Sequence, residues 1–295
     1  LAYQHTQKLP SRTRPEPNVI VRLSTIGADF SAPLAARAFK ESAAFADDLA
    51  AWAAARAAQP AERRFRLLVW DYGVNFGHWL APWPNWSSMA PNLRLYADAG
   101  VDGVFIEGNY RAKGGELAPL KSYLYAQLLW KPHADAAALT REFVGGFYGA
   151  AAAPHVLRYI AVTTAGAARA HAALGINVDV HHPALDAPTV LAALEAMGAA
   201  VAAASDAGDA AVAARVREAA LAPLYVALLR WDELRAHCAA TAARWPLEGE
   251  RAAALARFEA AYREADMHRA WPPEAAEPDA KVDAGLSEGG HGLRW

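Results

Sequence analysis

The stretch Phe65 to Tyr72, FRLLVWDY, constrains this chain more than any other. It is a nearly continuous apolar run of strand length, the pattern of a parallel strand covered on both faces. Its neighbours repeat the theme. NVIVRLSTI, Asn18 to Ile26, is β-branched and strand-like, VDGVFIEG, Val101 to Gly108, is a further apolar strand, and LAY at the start is short and apolar. Helical patterns alternate with them. Phe45, Leu49 and Trp52 recur at helical spacing. PNLRLYADAG closes on Gly100, suited to a left-handed C-cap. LAPLKSYLYAQLLW places Leu117, Leu120, Leu124 and Leu128 on one face. Parallel strands joined by helices need helical layers over the sheet, and the pattern makes nearly four β/α units. Eight such units close a barrel of roughly 250 residues. The pattern fits an α/β fold that is the C-terminal half of a (β/α)8 TIM-type barrel over residues 1–133, followed by an all-α helical bundle, and periodicity alone does not choose between this and an open sheet. A small open parallel sheet is the alternative. LAYQHT reads as the end of a strand, so the expectation places further sequence upstream of Leu1.

From about Asp135 the strand signals stop and alanine dominates. Leu139, Phe143 and Phe147 are spaced as a helical stripe, as are Leu157, Ile160 and Thr164. Long helical patterns continue to Trp271, giving an expected helical domain over 134–271. Residues 272–295, rich in Pro, Gly and Glu, read as an extended or disordered tail. The formal net charge of −2 argues against an electrostatic nucleic-acid or membrane partner. No segment reads as a transmembrane run. Cys238 is the single cysteine, so neither an internal disulfide nor a cysteine zinc cluster is possible. His181 and His182 are adjacent, which puts them on different faces, and no carboxylate stands at ligand spacing. GNYRAKGGE lacks the lysine-serine/threonine ending of a phosphate loop. No metal or cofactor is expected.

In β/α folds the site lies at the C-terminal ends of the strands. Asp71 ends one strand and Glu107 the next. If the strands are neighbours, their axes lie about 4.8 Å apart, and the two carboxylates could address one substrate. Such a pair suits hydrolysis of a glycosidic bond, one acid protonating the leaving oxygen while the other attacks or activates water. The alternative is that each acid caps a helix or pairs with an arginine. Strand parity bears on the choice, because adjacent residues point to opposite faces.

The segment after the strand, to Trp86, holds Trp70, Tyr72, Phe76, Trp79, Trp83 and Trp86 among glycines and prolines. Sugar rings stack on aromatic faces, and Asn75, His78 and Asn85 could bind hydroxyls. Trp70, Tyr72 and Trp79 are the expected stacking residues, with Asn109 from the next loop and His5 from the first strand end. The alternative makes these rings a satellite core beneath a long loop.

The segments LAYQHTQKLP, VWDYGVNFGHWLAPWPNW, APNLRLYADAGVDGVFIEGNY and the run from LKSYLYAQLLWKPHAD to HVLRYI resemble the bacterial family catalogued as domain of unknown function 4838. The likeness runs from Leu1 to about Ile160. Members of that family resemble glycoside hydrolases, and some carry a domain similar to the N-terminal part of alpha-glucuronidases. The resemblance implies a preceding half-barrel, a helical domain behind it, and a periplasmic or secreted location. Asp71 and Tyr72 match the family's W-D-Y motif. At Glu107 the family has Gln as well as Glu, and sometimes Glu one position earlier, where this chain has Ile106. The expected function is glycoside-hydrolase-like action on a polysaccharide or glycoconjugate. A non-catalytic carbohydrate-binding or surface-assembly module is the first alternative, and an unrelated α/β domain with an interaction bundle the second.

Overall fold

The computed structural model describes residues 1–109 and 114–267. The expected tail at 272–295 and part of GNYRAKGGE lie outside the described residues. Three strands, β1 (Ile20–Ser24), β2 (Arg66–Tyr72) and β3 (Gly103–Glu107), form one parallel sheet in the order β1-β2-β3. Helix α1 (Lys40–Ala57) joins β1 to β2, α2 (Trp86–Asp98) joins β2 to β3, and α3 (Ala118–Trp130) follows β3.

The half-barrel expectation is corrected here. The described sheet is small and open, with three strands rather than the four of half a barrel. The physical reason lies at the first expected strand. LAY contributes a single parallel bridge, Ala2 to Leu23, before Gln4 turns left-handed (φ 52°) into a 3-10 turn over Gln4–Thr6. The expectation that β2 is covered on both faces is also corrected. Leu67 and Val69 of β2 pack with Val21 and Leu23 of β1 in a core shared with Phe45, Leu49 and Trp52 of α1. Leu93 and Tyr96 of α2 and Leu124 and Leu128 of α3 complete that layer. On the other face Leu68 and Trp70 are half-buried, and Ile20 and Phe105 are 49% and 47% exposed.

The remaining described helices are α4 (Ala136–Phe147), α5 (Ala153–Ala170), α6 (Ala187–Asp206), α7 (Ala210–Leu229), α8 (Trp231–Thr241) and α9 (Arg251–Glu264). Three of their starts are chemically marked. Asp135, Asp186 and Asp209 each accept backbone N–H groups from the first turn of α4, α6 and α7. The α5 stripe is displaced by one residue from the expected one: Val156, Tyr159 and Thr163 face inward. Helix α6 is long and apolar enough to cross a membrane, but it packs here between α5 and α7. The main core runs without a break from the sheet into α4, α5 and α6, through Val144, Val156, Tyr159 and Met197. A second core joins Leu80 and Ala81 to α7, α8 and α9.

Gly166 shows how tightly α5 sits. A Cβ there would meet the Ala184 carbonyl oxygen at 2.6 Å and Thr189 Cγ2 at 2.7 Å. We expect Gly166→Ala to cost about 1–3 kcal/mol through overpacking, despite alanine's better helix propensity. Thermal unfolding checks it; a variant melting at or above wild type would show that the contact yields.

Candidate functional site

Register decides what the two strand-end carboxylates can do. Asp71 pairs with Ile106, and Tyr72 pairs with Glu107. Paired residues of neighbouring strands point the same way and adjacent residues point opposite ways, so Asp71 and Glu107 lie on opposite faces of the sheet. The expected shared cleft between them is not formed.

Asp71 is on the helix-covered face and is 4% exposed. One oxygen accepts from Thr25 Oγ1 (2.7 Å) and from the Tyr72 N–H (3.0 Å); the other accepts from the Tyr96 hydroxyl (3.0 Å). Burial pushes its pKa above the usual carboxylate range, against the lowering effect of these three donors. The Tyr96 hydroxyl is held well above its ordinary pKa, chiefly by burial and then by Asp71, so it stays a donor. Asp71 thus ties the end of β1, β2 and α2 together in the core.

Glu107 lies half-buried on the open face, where Oε2 accepts from the Trp70 indole N–H at 2.7 Å. Trp70 meets Phe105 edge-on at 4.9 Å, and the Arg22 guanidinium sits over its ring at 5.4 Å. Tyr72 shares this face, its hydroxyl 3.4 Å from Ser24 Oγ. Trp70, Tyr72 and Glu107 are therefore brought together. His5 is exposed on the N-terminal 3-10 turn.

The aromatic loop spans Gly73–Asn85, shorter than its sequence suggests because α2 already begins at Trp86. Most of its polar groups are committed to holding it. Asn75 brackets Val178, donating to its carbonyl at 2.8 Å and accepting from its N–H at 3.1 Å. Phe76 N–H donates to the Ile176 carbonyl and Trp83 Nε1 to the Gly175 carbonyl. Asn85 donates to the Tyr125 hydroxyl, and His78 Nδ1 lies 2.8 Å from the Tyr225 hydroxyl. The expectation that Asn75, His78 and Asn85 bind ligand hydroxyls is corrected accordingly: all three are buried and engaged with protein. Trp83 is likewise buried. Trp79 is half-buried and faces a cleft.

That cleft, of about 380 Å3, runs between the outer edge of β3 and helix α3. Trp79, Phe105, Asn109 and Tyr125 line it, and so do two charged residues with no place in the sequence reading. Glu116 and Lys121 are buried and form an ion pair at 2.6 Å. Tyr159 donates to Glu116 Oε1 at 2.9 Å. The ammonium also donates to the Trp83 carbonyl at 3.1 Å and lies 5.3 Å and 5.1 Å from the Trp83 and Trp86 rings. A left-handed residue at the N-cap of α3, Leu117 (φ 45°), lies between the two partners in sequence and turns them toward each other. One signal was present in the sequence: a lone lysine inside the apolar Leu120–Leu128 stripe.

A parallel α/β layer whose strand ends and first loop are clamped by a following helical bundle defines the class. The chain belongs to the family described as Domain of unknown function (DUF4838), whose model matches residues 1–161. No curated protein and no solved structure matches it.

Proposed function

We propose that this protein binds a carbohydrate in the cleft between β3 and α3. The observation that carries the reading is the lining: the rings of Trp79, Phe105 and Tyr125 stand beside the polar groups of Asn109, Glu116 and Lys121. Ligand sites combine apolar and aromatic walls with a few placed polar groups, in volumes of roughly 300–1,000 Å3, and this cleft falls in that range. Trp79 supplies a flat face for the C–H side of a sugar ring, and Asn109, whose amide donates to the Gly114 carbonyl, lines the same cleft. Calorimetric titration against a panel of oligosaccharides tests it. Trp79→Ala should weaken binding by about 2 kcal/mol, or roughly thirtyfold. A panel without a binder, or a variant that binds as wild type does, would count against the cleft.

Hydrolysis of a glycosidic bond is the second reading, and Glu107 favours it. This carboxylate sits at the C-terminal end of β3, held by the Trp70 indole, one residue before cleft-lining Gly108 and Asn109. Glu116 is the carboxylate within the cleft. Likeness of the family to glycoside hydrolases supports the same reading. If it holds, Glu107→Gln removes turnover while leaving binding intact.

A further inference from the structure

The loop that carries Trp79 is fastened to the helical bundle by a chain of titratable groups. His78 is 4% exposed. Its Nδ1 meets the Tyr225 hydroxyl of α7 at 2.8 Å, and its Nε2 faces Asp179 Oδ2 at 3.7 Å. Asp179 lies in the segment linking α5 to α6, and its other oxygen takes the backbone N–H (2.9 Å) and ring Nδ1 (2.6 Å) of His181. His181 Nε2 stands 3.5 Å from Glu233 Oε2 of α8, and Glu233 is gripped by Arg230 through two nitrogens. Arg230 is itself buried and donates to the Val180 and Leu185 carbonyls. Among the described residues, His237 of α8 also acts on Glu233, Tyr262 of α9 acts on Tyr225, and His182 donates its backbone N–H to the Asp179 carbonyl.

We infer that this chain is a proton-controlled clamp on the aromatic loop, with His78 as its switch and Asp179 as the carboxylate shared between loop and bundle. The inference rests on the carbohydrate-cleft reading only in what the clamp controls, namely the position of Trp79. Neutral His78 accepts from or donates to one buried hydroxyl and carries no charge into the core. A proton on the ring makes both nitrogens donors. The Tyr225 hydroxyl must then turn its hydrogen away, and a cation stands in a buried position opposite a carboxylate already engaged by His181. Burial depresses the His78 pKa, outweighing the raising effect of Asp179, while His181 lowers it further. The docked loop therefore binds the His78 proton less readily than the released loop does. Docking is favoured at neutral pH and weakens as pH falls through the ordinary histidine range.

Hydrogen exchange of the full chain, read on residues 73–85 and 175–182 between about pH 8 and about pH 5, tests this. After correction for intrinsic rates, wild type should open several-fold more at the acidic end. His78→Gln should abolish that dependence. Asp179→Asn removes the group that supports the proton on His78, so it should enlarge the acid-induced opening. Wild-type protection that is equal at both ends, or an Asp179→Asn variant with diminished opening, overturns the clamp. Titration of an oligosaccharide panel in parallel separates the two readings. Opening without any sugar binding leaves the clamp and removes the carbohydrate site; sugar binding without opening does the reverse.

Discussion

Asp71→Ala is expected to lower the unfolding free energy by about 3 kcal/mol, the cost of stranding buried donors, with a fall in melting temperature of roughly 6–12 °C. Three donors now end on that carboxylate: Thr25 Oγ1, the Tyr72 N–H and the Tyr96 hydroxyl. None gains solvent when it goes, since Thr25 and Tyr96 are both 1% exposed. Asp71→Asn keeps one acceptor, and both hydroxyls can accept in turn from its amide, so it should cost about 1 kcal/mol or less. The pH dependence has a definite sign. Burial raises the folded pKa of Asp71 above its unfolded value. Its contribution is then greatest in acid and declines as pH rises through the folded pKa. The gap between wild type and the non-titrating Asn variant should narrow from about pH 4 toward neutrality. An Ala variant as stable as wild type, or a gap that widens with pH, would remove Asp71 from this structural role. Neither variant is expected to alter binding of sugar in the cleft, because Asp71 is not among the residues that line it.

Much of this architecture was legible in the sequence. The apolar runs marked β1, β2 and β3, and the helical patterns marked the bundle that follows them. What failed was the step from strands to closure. Local periodicity reports that a strand exists; it does not report what pairs with its edge. LAY has the composition of a strand yet makes one bridge, because Gln4 leaves the extended conformation. The carboxylates failed for a different reason. Asp71 and Glu107 look equivalent at strand ends, and only the register Tyr72–Glu107 shows that they point apart. Asn75, His78 and Asn85 look like ligand groups because polar residues among aromatics suggest a rim. They are instead engaged by Val178, Tyr225 and Tyr125, partners 103, 147 and 40 residues away. Pairings at such separations leave no local signal. Glu116 is hidden at the end of GNYRAKGGE, whose glycines give no local sign of a buried acid. The informative residue was Lys121, a cation in an apolar helix stripe.

That cation supports the second large effect. Lys121→Met should destabilise the protein by about 3–5 kcal/mol, because it leaves Glu116 buried with its charge uncompensated. Glu116→Gln should cost a similar amount by stranding the ammonium between the Trp83 and Trp86 rings. The double variant should regain most of the loss, since a buried pair replaced as a whole by uncharged groups is often close to neutral. Tyr159 can still donate to the side-chain carbonyl that Glu116→Gln introduces, so its hydroxyl keeps an acceptor. The measurement is a double-mutant cycle by denaturant unfolding, in which single losses of that size and a nearly neutral double variant imply a coupling of about 5 kcal/mol or more, above the roughly 0.5–3 kcal/mol of ordinary contacting residues. Additive losses would mean that each side chain is held by its other contacts rather than by the 2.6 Å pair. The cycle also bears on the cleft. If the pair is there only to hold α3 against the aromatic loop, a stable double variant should bind sugar as wild type does. If its polar atoms meet the ligand, affinity should fall in that same variant while its stability is retained.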